Sequence, residues 1–130
     1  MRPQLTYIEL KSGYSDNGPA WIGIVEFSKT GHTVYFDNKA LKRLKVPSSN
    51  ANHYDIETGE EYWVSGVKKN GADRHWAGHG KIMIDKNALD QYLKQTNQGQ
   101  LDLTKFDIVE FKKIDKARIN EIENRILTDK

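Results

Sequence analysis

Alternation of apolar and polar residues predicts β-strands along much of the chain. Residues 5–11 alternate loosely and lead into residues 12–19, a dense run of turn formers. Residues 20–28 carry apolar side chains on both faces, with Trp21, Val25 and Phe27 on one and Ile22 and Ile24 on the other. Residues 34–36 resume the pattern after Gly31, which can supply the positive φ of a bulged turn, so these two segments are predicted to form a hairpin.

A second hairpin is predicted at Asn70-Gly71, the strongest short hairpin signal in the chain, behind a strand over residues 61–68. If these two residues form the loop, the opposed pairs are Lys68 with Asp73, Val67 with Arg74, Ser65 with Trp76, and Trp63 with Gly78. The buried face then carries Trp63, Val67, Arg74 and Trp76. The other face carries Tyr62, Val64, Lys68, Asp73, His75 and His79, and a slip of one residue would exchange the two faces.

Helices are predicted where capping residues precede an apolar stripe. Asn38 is expected to begin a short helical turn through Leu44, and Asp85 to cap a helix through about Gln95. The stripe of the second of these comprises Leu89, Tyr92 and Leu93. After a strand over residues 106–111, residues 115–127 are predicted to form an amphipathic helix with Asp115 as its cap. Its apolar face comprises Ile119, Ile122, Ile126 and Leu127.

Together these elements predict one α+β domain, residues 1–130, because a chain of this length can bury one core but not two. Mainly antiparallel strands are expected to curl into a small, partly open barrel, SH3-like or similar. One or two helices pack on it, including the C-terminal amphipathic helix. Residues 1–95 are expected to form the β-rich core and residues 96–130 a strand–helix extension.

Composition narrows the possible chemistry. The 37% hydrophobic and 29% charged residues are typical of a globular protein. The absence of cysteine excludes disulfides, thiolate metal sites, iron–sulfur clusters and cysteine nucleophiles. Because no apolar block resembles a signal peptide and no stretch is long enough to span a bilayer, we expect a cytoplasmic protein without a membrane partner.

Two groups of residues in the sequence could bind a metal ion: a pair of histidines and a run of carboxylates. His75 and His79 have the H-x-x-x-H spacing that binds zinc on a helix, but on a strand four residues span roughly 13 Å, too far for one ion. A bulge, with His53 or Asp55 joining, could still close that gap. The acidic run Asp55, Glu57, Glu60 and Glu61 lacks the spacing of a calcium loop. We therefore predict no metal site.

Catalytic chemistry has little support. Asp73 and His75 could act as a base and its orienting partner, yet no serine or threonine sits in a nucleophile motif. The register above places Ser65, the nearest hydroxyl, on the opposite face. The sequence therefore predicts no catalytic residues and no cofactor, and a small hydrolase is only the third hypothesis.

Basic residues suggest binding instead. One group, Lys39, Lys42, Arg43 and Lys45, contains no acid, and a second surrounds the predicted hairpin with Asp73 alone opposing: Lys68, Lys69, Arg74 and Lys81. Small β-barrels bind nucleic acid with cations on phosphates and exposed rings on bases. In the simpler interpretation the lysines keep the domain soluble and Trp21, Trp63 and Trp76 belong to the core.

Three stretches resemble a family of small uncharacterised bacterial proteins. They are residues 20–23 (AWIG), residues 27–31 (FSKTG) and, above all, residues 54–69 (YDIETGEEYWVSGVKK) continuing to DRHWAG at 73–78. The resemblance covers about residues 5–95. Members often carry the label 1-deoxy-D-xylulose-5-phosphate synthase, an enzyme that binds thiamine diphosphate through a Gly-Asp-Gly motif. This chain contains no such motif, so the resemblance implies a shape of sequence without an activity.

The leading hypothesis is a non-enzymatic module that binds nucleic acid through the second hairpin. The expected binding residues are Lys68, Lys69, Arg74, His75, Lys81 and the ring of Tyr62. The alternative is a protein-interaction module. The sequence leaves the partner and the oligomeric state open.

Overall fold

The structure is a computed structural model, and it describes residues 2–13, 18–48, 50–73 and 80–128. Six antiparallel strands form a barrel: β1 (Gln4–Leu10), β2 (Ala20–Phe27), β3 (Thr33–Phe36), β4 (Lys39–Arg43), β5 (His53–Asp55) and β6 (Glu61–Gly66). Each strand pairs with the next along the chain, and β6 returns to pair with β1. The predicted α+β fold with a small β-barrel is confirmed.

An extension follows the barrel strands. β7 (Ile82–Asp85) pairs in parallel with the start of β2, and β8 (Phe106–Val109) pairs in parallel with β7. A 3-10 turn and α1 (Leu89–Gln95) connect the two. The predicted stripe of α1 is confirmed, because Tyr92 is buried and Leu89 and Leu93 pack on the same cluster. Asp85 does not cap the helix; its Oδ1 accepts a hydrogen bond from the backbone N–H of Phe111 at 3.2 Å.

The strand alternation sorts apolar side chains into two clusters. The barrel interior contains Ile8, Val25, Val34, Phe36, Leu41 and Tyr62, with Trp21 and Phe27 packed against them. The outer cluster joins Tyr7 and Ile22 to α1 and the extension. The predicted division of β2 into two faces is therefore confirmed, although Ile24 is 37% exposed.

The helical turn predicted from Asn38 to Leu44 is wrong, since Lys39–Arg43 is strand β4. β4 pairs with β3 through a tight turn at Asp37 and Asn38, both of which have positive φ. Asp and Asn tolerate this left-handed conformation better than other non-glycine residues. The pair therefore acts as a two-residue hairpin turn rather than as a helix cap.

The second predicted hairpin is wrong in its turn type, and the strand before it has partners elsewhere in the barrel. β6 pairs with β1, which places Trp63 opposite Glu9 and Ser65 opposite Tyr7, and with β5 on its other side. Gly71 has the expected positive φ but Asn70 does not, so the type I′ turn is not formed. The Gly71 N–H donates instead to the carbonyl of Lys68 at 3.0 Å. The partners predicted among residues 74–79 lie outside the described residues.

The C-terminal helix α2 (Lys116–Thr128) forms as predicted. Asp115 caps it by accepting a hydrogen bond from the Arg118 N–H at 3.1 Å, and Glu121 contacts Arg125 at 3.5 Å. Ile119 is buried, whereas the side chains of residues 126–128 lie outside the description. Within the described ranges, no helix is long and apolar enough to span a membrane.

The segment before α2 is attached to the β3–β4 turn. Backbone N–H groups of Lys112 and Asp115 donate to the side-chain oxygens of Asp37 and Asn38, each at 2.8 Å. Nearby, Phe111 packs over Gly23, where an added Cβ would lie 2.2 Å from its ring. A glycine is needed there because any side chain would displace the ring.

Candidate functional site

One end of the barrel gathers exposed cations from separate parts of the chain. β1 begins there, and β2, β4 and β6 end there. We call this set the basic rim: Lys29, Arg43, Lys45, Lys68 and Lys69. Lys29 lies in the β2–β3 turn, Arg43 and Lys45 at the end of β4, and Lys68 and Lys69 directly after β6. The two basic groups recognised in the sequence thus contribute to one surface.

The charges of the basic rim are largely left to solvent in the part of the chain that the structure describes. None of the five makes an ion pair within the described part of the chain, and all are exposed. Asp73 lies beside Lys68, and its Oδ1 accepts the Lys68 backbone N–H at 2.7 Å. Burial raises the pKa of Asp73 and the Lys68 charge opposes that rise, and this carboxylate offsets the charge of one of the five cations at most. The rim therefore presents a net positive field to solvent.

A polar pocket of about 250 Å³ opens at the centre of this end. Arg43, His53 and Phe27 contribute to its wall, together with Thr6, Thr30 and Ser65. Arg43 faces the mouth because it continues the interior side of β4 that Leu41 begins deeper in the barrel. The pocket thus combines a guanidinium, an imidazole, an aromatic ring and hydroxyl groups.

His53 is held in a defined state at the pocket wall. Its ring is 5% exposed and lies beside Arg43 across the β4–β5 ladder. Burial first, and the Arg43 charge second, lower the pKa of His53 to about 4. The ring is therefore neutral at physiological pH, and it serves as a hydrogen-bonding group rather than as a charge.

Of the residues predicted to form the binding surface, those that the structure describes do not all lie together. Lys68 and Lys69 belong to the basic rim, but Lys81 precedes β7 near the other end of the barrel and pairs with Asp107 at 3.3 Å. Arg74 and His75 lie outside the described residues. Tyr62 was expected to be an exposed stacking ring, and this is wrong.

Tyr62 is 2% exposed and lies in the barrel interior, with ring centroids 6.3 Å from both Trp21 and Phe36. Burial raises its pKa, helped by nearby Asp55 and Glu60. The predicted division of this strand into two faces is correct, but neither face is left to solvent: Trp63 packs on the outer cluster and Tyr62 in the interior.

The acidic run is a structural turn. Asp55 Oδ1 accepts the backbone N–H of Glu57 at 2.8 Å, and Gly59, with positive φ, donates to the Asp55 carbonyl. Across the described ranges, no group of three or more histidine and carboxylate side chains could hold a metal ion. The carboxylate of Asp55 therefore organises its own loop.

Comparison with known proteins gives no match. Neither a protein-family model, nor a curated protein, nor a solved structure is similar to this chain at a significant level. The resemblance of residues 5–95 to a bacterial family therefore stays a prediction, and the candidate site is interpreted from its own geometry.

Sequence reasoning missed the pocket residues Arg43, Asn52 and His53. Arg43 belongs to the first basic group of the sequence, but the sequence predicts a helical turn at this position. The usable signal was the alternation of Lys39, Leu41 and Arg43, which is the period of a strand with an apolar centre and charged ends. From the sequence, His53 is a candidate only as an additional metal ligand.

Proposed function

We propose that this protein binds single-stranded nucleic acid at the basic rim. The carrying observation is that five exposed cations, which make no ion pairs within the described residues, lie at the end of the barrel where a polar pocket opens. Cations that neutralise phosphates need this freedom, because a lysine already paired with a carboxylate would have to break that contact first. A single strand fits better than a duplex, since the pocket can admit one extruded unit of the chain.

The pocket wall supports the same class of ligand. Phe27 is half-buried at the mouth and supplies an aromatic surface of the kind on which bases stack. Arg43 beside it can contact a phosphate with a planar, multidentate group. Phosphate contacts position the strand, and groups inside the pocket contact the base.

The test is a salt titration with a matched charge control. We expect wild-type protein to bind a fluorescent 12-nucleotide single strand, with an affinity that falls steeply with salt. The triple variant K29Q/R43Q/K45Q removes three expected phosphate contacts, which should reduce the slope of log affinity against log salt by about 2. Fluorescence anisotropy from 50 to 300 mM salt measures both quantities.

The control variant K86Q/K105Q/K116Q removes the same charge from exposed lysines away from the rim. It should retain most of the affinity and nearly all of the salt slope. Wild-type protein that does not bind single strands even at 50 mM salt would contradict the proposal. So would an equal loss in both triple variants, because binding would then depend on net charge rather than on the rim.

A protein-interaction function is favoured by a different observation. β8 is the last strand of the sheet order, so its outer edge has no strand partner within the described residues. Ile108 in this strand is 49% exposed. Open strand edges are surfaces to which partner chains add a strand. Binding there should be insensitive to salt, which distinguishes it from binding at the rim.

A further inference from the structure

The pocket inside the basic rim has a hydrogen-bonding group whose polarity is set by the fold. Asn52 donates through Nδ2 to the carbonyl of Val64 and accepts the Val64 N–H through Oδ1, both at 2.8 Å. This pair of bonds replaces a missing strand partner along β6. It also determines which end of the Asn52 amide is oxygen, because a backbone carbonyl can only accept and a backbone N–H can only donate.

The fixed amide in turn sets the tautomer of His53. Nδ1 of His53 lies 2.8 Å from Asn52 Oδ1, which is an acceptor, so Nδ1 must carry the ring hydrogen. Since the ring is neutral, Nε2 then carries a lone pair and no hydrogen. Nε2 has no partner among the described residues, and His53 lines the pocket. The pocket wall therefore offers an acceptor rather than a donor at this position.

We infer that this pocket, if the protein binds single strands as proposed above, takes one nucleobase and prefers a base with an exocyclic amino group. An amino group can donate directly to Nε2 of His53, whereas a carbonyl oxygen in its place would meet the Nε2 lone pair. Phe27 supplies the stacking surface, and Arg43 contacts the adjoining phosphate. A volume of about 250 Å³ is below that of most drug-sized sites and suits a single base.

Cytosine and uracil make the sharpest comparison. The two rings have nearly the same size and stacking surface, but cytosine carries a 4-amino group where uracil carries a 4-carbonyl group. A neutral hydrogen bond contributes about 0.5–1.5 kcal/mol, which corresponds to a preference of about 2- to 12-fold for the deoxycytidine strand. The probes are 12-nucleotide strands of deoxycytidine or deoxyuridine at equal salt.

Two variants test the assignment to His53. His53→Gln places an amide at the wall, which can either donate or accept, so the preference should fall to about 1 while the salt slope is retained. Asn52→Ala removes the acceptor that keeps the ring hydrogen on Nδ1 of His53, so either tautomer can form. The preference for deoxycytidine should weaken, although His53 itself is still in the pocket wall. Both proteins must show the wild-type far-UV spectrum before binding is compared.

A measurement on wild-type protein removes the dependence on folded variants. Long-range ¹H–¹⁵N correlation spectra should show the His53 Nε2 signal shifting on addition of the deoxycytidine strand and staying nearly unchanged with deoxyuridine. Equal affinities for the two strands, with a steep salt slope, would overturn the base preference and leave the proposed function standing. Absence of binding to either strand would overturn both. A preference that survives in His53→Gln, or an unmoved Nε2 signal, would overturn the role of His53.

Discussion

The two ends of this barrel are built from the same strands, but they differ in how far their charged side chains are paired. Opposite the basic rim lies a set of carboxylates that we call the acidic floor: Asp37, Asp55, Glu57, Glu60 and Glu61. Asp37 contacts Lys39 at 3.6 Å, and Glu57 contacts Arg118 at 3.0 Å. The C-terminal segment also donates backbone N–H groups to the turn there. At the rim, the cations make no ion pairs with the residues that the structure describes.

Strand β4 shows this difference within five residues. Lys39 and Arg43 lie on the same side of the strand, at its two ends, with Leu41 between them. Lys39 pairs with Asp37, and its Nζ lies 5.7 Å from the centroid of the Phe36 ring, so its charge interacts within the protein. Arg43 lines the pocket and has no ion pair within the described residues. The charges of the floor thus take part in contacts of the fold, whereas those of the rim are exposed, as the proposed binding requires.

The largest expected effect is at the aromatic interior near the acidic floor. Tyr62→Ala should lower the free energy of unfolding by about 3–5 kcal/mol, because it removes a fully buried ring packed against Trp21 and Phe36. Tyr62→Phe keeps the ring and should change stability by less than about 1 kcal/mol. Urea denaturation measures both. A loss below 1 kcal/mol in the alanine variant, with weaker nucleic-acid binding, would instead return Tyr62 to the role of a stacking ring.

The next effect concerns His53 and pH. In the unfolded chain this imidazole binds a proton below about pH 6.5, whereas in the folded protein its pKa is about 4. Between these values the unfolded state holds more protons, so acidification favours unfolding. The contribution of His53 is present in full above pH 6.5 and is lost as pH falls towards 4. The loss should reach at most about 3 kcal/mol.

Comparison with His53→Gln isolates the contribution of His53 to the pH dependence of stability, since the variant keeps every other titrating group, including Asp73. The stability difference between the two proteins should shrink as pH falls from 7 to 4. A difference that stays constant across this range would mean that the pKa of His53 in the folded protein is close to its ordinary value, so that the ring takes up a proton below about pH 6.5 at the rim.

The sequence predicted the local elements that depend on a single side chain or a single period. Asp115 caps α2, the stripe of α1 faces the core, and β2 divides into its two faces as expected. These features follow from backbone geometry within a few residues, which the alternation of side chains records directly. The small β-barrel could be inferred from their sum.

The errors around β6 share a cause, which is that the prediction takes the partner of this strand to be the next segment in sequence. Asn70-Gly71 is a strong hairpin signal, yet β6 finds its partner in β1, more than fifty residues earlier. That choice buries Tyr62, and Lys68 and Lys81 lie near opposite ends of the barrel. Long-range pairing is decided by total burial, which no short motif encodes.

At the acidic floor, Arg118→Ala should lower stability by about 1 kcal/mol. The change removes a partly exposed ion pair to Glu57 and a hydrogen bond to the Asn38 carbonyl. Arg118→Lys should recover only part of the loss, because an ammonium cannot reach both partners with a planar fork. Thermal unfolding of the three proteins provides the measurement. Wild-type stability in the alanine variant would show that the C-terminal segment does not depend on this arginine.

The smallest expected effect is at the basic rim, and it completes the contrast. K29Q/R43Q/K45Q removes three charges that have no ion pairs, so the free energy of unfolding should change by less than about 0.5 kcal/mol. Any change should be favourable, because like charges gathered at one end repel each other. Raising salt from 10 to 300 mM should stabilise the wild type slightly by screening that repulsion, and the triple variant less. For Arg118→Ala, the stability difference from the wild type should become smaller as salt rises, because salt weakens the attraction between Arg118 and Glu57 that only the wild type has. If the rim variant instead loses more stability than Arg118→Ala, the rim cations hold the fold together and are not a surface kept free for phosphates.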